Sequence, residues 1–253
     1  MLRSLYSGVS GMKNFQTKLD VIGNNIANVN TYGFKKGRTT FSDLISQTVS
    51  GASAGVNAKQ IGLGARLASI DTIHTGGSTQ ATGRPLDLAV AGNGYFIVTD
   101  GTSNFYTRAG NFYFDNQRNI VNSDGLELAG AGTIPANARS FSIGQDGQVT
   151  YIDANGALQN AGQIQLAMFE NPEGLDKVGG NLYQVSSNSG AAVLNNPGSG
   201  GSGDINSGFL EMSNVDLSEE FTEMIVAQRG FQSNTKIITT SDEILQELMN
   251  LKR

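Results

Sequence analysis

Residues 217–251 read LSEEFTEMIVAQRGFQSNTKIITTSDEILQELMNL, and the spacing of their large apolar residues decides the fold class. Leu217, Met224, Phe231, Ile238 and Leu245 fall seven apart, and Ile237, Ile244 and Leu251 form a second row with the same interval. A seven-residue repeat lays an apolar stripe along a helix and calls for a helical partner. A matching segment stands at the other end of the chain, where Leu5, Met12, Leu19 and Ile26 recur at sevens, as do Phe15, Ile22 and Val29. Burying a five-residue row is worth on the order of 10 kcal/mol, at roughly 1.5–3 kcal/mol per side chain. Two arrangements use that energy: terminal helices packed on each other within one domain, or on the helices of neighbouring chains.

The chain between these helices changes character. The reading is α+β: long N- and C-terminal helices forming a coiled-coil layer, with a central all-β domain. Residues 1–33 are assigned to the first helix, 34–82 to an extended connector, 83–186 to the β domain, 187–213 to a flexible return linker and 214–253 to the second helix. In the connector, Phe41, Leu44, Ile45 and Val49 suggest a short amphipathic helix, Ser50-Gly51-Ala52-Ser53-Ala54-Gly55 a loop, and the alternation from Ile61 to Ile73 one or two strands. In the β domain, Tyr95-Phe96-Ile97-Val98 reads as a buried strand. Asp100-Gly101, Asp124-Gly125, Asp146-Gly147 and Asn155-Gly156 read as hairpin turns, which together imply a sandwich or barrel-like body. Ser186 to Gly208, with Pro197-Gly198-Ser199-Gly200-Gly201-Ser202-Gly203, has the composition of a flexible link. At the second helix, Asp216 followed by Glu219 marks the N-terminus, while Gly230 and Thr239-Thr240-Ser241 mark places for a bend or a renewed cap.

Composition and motif content remove whole classes of function. The chain has 253 residues, a net charge of −5, 38% apolar residues and no cysteine, so disulfides and thiolate metal sites are excluded. No run approaches the ~20 apolar residues of a membrane-spanning helix. Met1-Leu2-Arg3-Ser4-Leu5 leads straight into the heptads, so no cleaved signal peptide is expected. Residues 1–38 carry six bases and one acid, and residues 214–253 seven acids and four bases, so the two ends attract weakly. Lys35-Lys36-Gly37-Arg38 lacks interleaved aromatic residues, and nucleic acid is not expected as a partner. His74 is the only histidine, Gly92-Asn93-Gly94 runs into a strand and not a helix, and the Asp115–Asn119 and Asp153–Gly156 stretches fall short of a calcium loop. No catalytic, cofactor or metal residues, and no small-molecule substrate, are therefore expected.

One segment resists this reading. Asn24, Asn25, Asn28 and Asn30 crowd the end of the first helix, where Asn costs roughly 2 kcal/mol in total relative to Ala. Either the helix frays and is capped by Asn or by Gly33 in the left-handed region, or the amides make specific contacts with neighbouring chains.

The stretch from Leu19 to Lys35, Leu-Asp-Val-Ile-Gly-Asn-Asn-Ile-Ala-Asn-Val-Asn-Thr-Tyr-Gly-Phe-Lys, resembles the N-terminal signature of bacterial flagellar axial proteins, the rod and hook family. Asn24, Asn25, Ala27, Asn28, Thr31, Gly33 and Phe34 carry the likeness there, and Asn214 and Val215, within Ser213 to Glu220, carry it at the other end. Thr82 to Val90 and Gly92 to Phe96 also fit. The resemblance implies a structural subunit, not an enzyme, of a hollow helical homopolymer in the flagellar hook or basal body. Its paired terminal helices would line the inside of the tube and the β body would lie outside, transmitting torque for motility. It further implies contacts with adjacent rod or hook-junction proteins, with the export apparatus and with an assembly cap, and order in the termini only on assembly. Leu5, Met12, Leu19 and Ile26 with Leu217, Met224, Phe231, Ile238 and Leu245 are the expected packing residues. Asn214 to Gln228 looks hook-like, whereas Thr40 to Gly62 and Ile134 to Ala138 follow the distal rod pattern; a short hook subunit is the favoured reading and a distal rod subunit the alternative. A secreted adhesin or enzyme whose helices merely dimerise it is the rival from another class.

Overall fold

The computed structural model describes residues 2–51, 55 and 57–251. The chain is α+β, with one long helix at each end and strands between. It divides into two compact units: the first contains residues 2–27, 37–72 and 216–251, and the second residues 28–36 and 73–215.

In the first unit, helix α1 spans Leu2–Ala27 and helix α2 spans Leu217–Leu251. Asp216 caps α2 by accepting from the backbone N–H of Ser218 at 2.8 Å and of Glu219 at 3.4 Å. No renewed cap interrupts the chain at Gly230 or Thr239 to Ser241, and α2 is continuous. The Thr239, Thr240 and Ser241 hydroxyls donate to carbonyls one turn back, which keeps these poor helix formers within the helix.

The helices run antiparallel. Gly8 faces Ile238, Gly11 faces Asn234, Phe15 lies against Gly230, and Lys18 pairs with Glu223. The closest approach is thus made at small residues. A β-carbon on Gly230 would stand 2.4 Å from the Phe15 ring, and one on Gly11 would stand 2.8 Å from the Asn234 amide. Leu5, Met12, Leu19 and Ile26 are half-buried, as are Met224, Phe231, Ile238 and Leu245, whereas Leu217 is exposed. The second row, Ile237, Ile244 and Leu251, is left open to solvent.

Between the helices, Gly37–Asp43 pairs with Ala65–Thr72, and Ser46–Ser50 with Lys59–Gly62, both antiparallel. The strands expected from the alternation between Ile61 and Ile73 are present as Lys59–Gly62 and Ala65–Thr72, whereas the amphipathic helix placed around Phe41 to Val49 is replaced by strands. Thr39, Thr40, Ser42, Ser46 and Thr48 sit in strands because β-branched and hydroxyl side chains lose little in an extended ladder and more in a helix. Part of the expected loop, Ala52 to Ala54, lies outside the described residues.

The second unit is built on the strand Tyr95–Thr99. It alternates between two apolar clusters: Phe96 and Val98 enter one with Leu88, Phe112, Ile134, Ile164 and Ile205, while Tyr95 and Ile97 enter the other with Tyr106, Leu175 and Tyr183. The largest sheet runs in the order Asp176–Gly179, Leu182–Gln184, Asn104–Thr107, Tyr95–Thr99, Glu127–Leu128, Ile120–Val121, Tyr113–Phe114, with Leu166–Met168 and Val193–Asn195 branching from Tyr95–Thr99. It stays open, in contrast to a closed barrel, and a separate three-stranded meander covers Ser140–Ile143, Gln148–Ile152 and Leu158–Gln163. Gly101, Gly125, Gly147 and Gly156 take φ between 77° and 83° in the turns that join strands, conformations that Asp-Gly and Asn-Gly pairs supply cheaply.

The expected flexible linker at 187–213 is instead part of this unit. Asp204–Ser207 pairs with Leu88–Ala91, and Phe209–Glu211 with Thr79–Ala81. Ile205 and Leu210 are buried, and this apolar anchoring outweighs the flexibility of the Gly/Ser run, which closes turns through Ser199 N–H to Asn196 O and Ser202 N–H to Ser199 O.

Candidate functional site

Two asparagines from the sequence motifs act as hubs, one in each unit. Asn25, 1% exposed on the last turns of α1, donates from Nδ2 to the Gly37 carbonyl at 2.9 Å and accepts the Gly37 N–H at 2.9 Å through Oδ1. The side-chain amide thus pairs with the main chain as a neighbouring strand would. Nδ2 also donates to Glu220 Oε2 of α2 at 3.1 Å, and Glu220 is buried there. Asn25 therefore joins the end of α1, the start of the strand Gly37–Asp43 and the first turns of α2. Replacing Asn25 with Ala leaves the Glu220 carboxylate short of a donor and should cost about 1–3 kcal/mol, read as a lower urea midpoint for the helical signal; an unchanged midpoint would rule out the hub.

Asn214 repeats the chemistry in the second unit. Its Oδ1 accepts the Lys36 N–H at 2.8 Å, and its Nδ2 donates to the carbonyl of Ile73 at 2.8 Å and to Thr75 Oγ1 at 3.1 Å. Ile73 N–H in turn donates to Lys36 O at 2.9 Å. Lys36, Ile73 and Val215 are the residues at which this unit's two segments begin or end, so Asn214 stitches together the places where the chain enters and leaves.

Beneath this stitch lies a buried charge cluster. Lys35 is fully buried and pairs through Nζ with Glu211 Oε1, and it also donates to Thr75 O at 2.8 Å. Glu211, 2% exposed, accepts the Gly77 N–H at 3.0 Å and Arg108 Nη1 at 3.4 Å, and its carbonyl accepts the Gly33 N–H at 2.8 Å. Arg108 continues to Gly92 O at 2.8 Å and lies over the Tyr95 ring. Burial lowers the Lys35 pKa, although Glu211 opposes that shift, and burial raises Tyr95 to about 12. Tyr95 bonds His74 Nδ1 at 2.6 Å. A cavity of about 230 Å³ opens beside His74, Tyr95 and Arg108, walled by Met168, Phe169 and Pro172.

The remaining motif residues shape the approach to this cluster. Gly33 takes φ +69° at the close of the helix-end turn, and a β-carbon there would stand 2.5 Å from Ala109 N. Gly33 is left-handed as expected and only glycine fits there, but it does not cap α1, which ends at Ala27; its N–H donates to Glu211 O instead. Phe34 is buried under the Lys177 ammonium, and the Thr31 hydroxyl bonds the Asn28 side chain. Val215 is half-buried, while Asn24 and Ala27 are exposed. Sequence reasoning singled out Asn25, Gly33 and Asn214, but missed Lys35, Arg108 and Glu211. Glu211 carried no sequence signal, because it stands within what reads as a flexible link.

Comparison with known proteins brings the same segments together. The family described as flagella basal body rod protein matches residues 5–35, the flagellar hook protein FlgE/F/G D1 domain matches 89–151, and the flagellar basal body rod FlgEFG protein C-terminal region matches 206–251. The chain is similar to the flagellar basal-body rod protein FlgG of Bacillus subtilis, at 63% identity over 264 aligned positions covering 100% of both chains. It is 40% identical to the FlgG rod protein of Caulobacter vibrioides, over 99% of this chain and 100% of that one. It is 32% identical to the flagellar hook protein FlgE of Borreliella burgdorferi over all of both chains, in an alignment of 441 positions against 253 residues here.

Proposed function

We infer the function from one premise: the chain belongs to the bacterial flagellar rod and hook protein family and is a structural axial subunit of the flagellum. Within that family, the distal rod alternative replaces the short hook subunit favoured as reconciling the hook-like and rod-like stretches. The observation that carries it is 63% identity to a basal-body rod protein along the full length of both chains. The hook relative needs 441 aligned positions to accommodate the same 253 residues, so it carries long insertions that this chain lacks.

The proposed role is that of a distal rod subunit, polymerising with itself into a hollow helical shaft that transmits torque, and doing so without catalysis. The open row on α2 supports polymerisation. Val226, Ile237, Ile244, Leu248 and Leu251 fall on one stripe of the helix, each between 43% and 82% exposed. Covering such half-exposed side chains is worth about 1 kcal/mol each. Head-to-tail contacts between identical subunits that do not close generate a filament. The proposed partners are further copies of this chain, adjacent rod or hook-junction proteins, the export apparatus and an assembly cap. Electron microscopy of the concentrated full-length protein tests the assignment: straight, stiff tubes are expected, and curved or bendable tubes would restore the hook reading.

A further inference from the structure

We propose that His74 makes the cluster of Lys35, Arg108 and Glu211 an acid-sensitive latch, which holds residues 33–36 and 73–77 onto the β body at neutral pH and releases them when His74 gains a proton. The inference concerns the second unit alone and does not depend on the rod assignment.

The geometry leaves little accommodation for an imidazolium. His74 Nδ1 meets the Tyr95 hydroxyl at 2.6 Å, and Nε2 is buried with no hydrogen-bond partner. With the imidazole neutral, Nδ1 can accept the tyrosine proton; once it is protonated, both ring nitrogens are donors and that bond loses its acceptor. The rings of Tyr95 and Tyr183, from strands Tyr95–Thr99 and Leu182–Gln184, pack against the imidazole in T-shaped arrangements with centroids 5.9 and 5.6 Å away.

The surrounding charge acts in the same direction. Lys35, Lys177 from strand Asp176–Gly179, and Arg108 beyond strand Asn104–Thr107 all oppose a positive His74. The acids nearby are Glu211, already engaged by Lys35 and Arg108, and Glu170, which lines the adjoining cavity. Burial first, and these cations second, hold the His74 pKa at about 4 against an ordinary 6.5. His74 lies one residue from Thr75, whose carbonyl accepts from Lys35 Nζ, and three from Gly77, whose N–H binds Glu211. Moving His74 into water therefore pulls directly on the bonds of the cluster.

The sign follows from linkage. A histidine whose pKa is lowered in the closed state contributes stability that is fully present above about 6.5 and is lost as the pH falls towards about 4. Between pH 7 and pH 5, the closed–open equilibrium should shift about twenty-fold towards opening.

Two measurements on the full chain test this. Amide hydrogen exchange at Lys36, Ile73 and Gly77, corrected for intrinsic rates, should show the twenty-fold gain in opening between pH 7 and pH 5 in the wild type and almost none in His74→Gln. An equal gain in the variant overturns the proposal. Because the chain has one histidine, its Cε1 proton titration by NMR reports the same group without any substitution. A midpoint well below 6 supports the latch; a midpoint near 6.5 with undisturbed exchange protection overturns it, whatever the fate of the variant.

Discussion

Glu211→Gln is expected to destabilise the β body by about 3–5 kcal/mol, the usual consequence of removing one partner from a buried ion pair. The substitution keeps the size of the side chain and changes its charge. Lys35 and Arg108 are 0% and 3% exposed, and with glutamine between them they face each other with no counter-charge. Lys35 can relieve part of the cost by giving up its proton, since burial already lowers its pKa. That relief removes one charge but leaves the buried Arg108 without its counter-charge. Urea denaturation followed by a signal from the β body should show a lower midpoint with an unchanged slope. A companion variant that replaces all three charges, Lys35→Met, Arg108→Met and Glu211→Leu, should recover part of the loss, because buried ion pairs replaced by apolar residues of similar size are often close to neutral. A loss below about 1 kcal/mol for Glu211→Gln would place this pair with solvent-screened surface bridges and refute its role as the tie beneath Asn214.

The second large effect is on assembly, with the subunit fold left intact. Ile244→Asp combined with Leu248→Asp should abolish tube formation, while the helix content and the urea midpoint of the monomer change little. Both residues are more than 40% exposed on α2, so each charge is hydrated in the free subunit and becomes costly only when a neighbour covers it. Burying an unpaired carboxylate costs several kcal/mol, and each subunit carries two. Sedimentation and electron microscopy at concentrations where the wild type forms tubes provide the readout. Tubes of normal length from the double variant would show that this stripe is not an assembly surface. The row through Leu245 is a poorer target, because Leu245 is half-buried along α2 and its loss would disturb the subunit as well as the polymer.

These two expectations draw on different sources of information. The helical ends, the turns at Asp100-Gly101, Asp124-Gly125, Asp146-Gly147 and Asn155-Gly156, and the doubly buried strand at Tyr95 were legible from local chemistry. Period, turn residues and apolar runs act over a few positions, and no distant contact overrode them here. Although the alternation from Ile61 to Ile73 already marked strands, residues 37–50 and 187–213 were not legible in the same way. Their polar, Gly-rich or hydroxyl-rich residues have weak local preferences, so partner strands far away in sequence decided their conformation. The asparagine cluster occupied a middle position. Its cost in a helix showed that the residues must be used for something, but only the fold revealed that Asn25 engages Gly37 and Glu220 of its own chain.

The sequence by itself determined that two heptad-patterned helices flank a β-rich body, and its end motifs pointed to the flagellar axial family, because periodicity and contiguous motifs are local properties of the chain. The tertiary structure alone decided which heptad row faces the partner helix and which stays open, since the approach of α1 and α2 is set by Gly8, Gly11 and Gly230, where missing side chains and not large ones fix the distance. It alone also assembled Lys35, His74, Arg108 and Glu211, because charges up to 176 positions apart in sequence acquire their energetic weight only when folding removes them together from water.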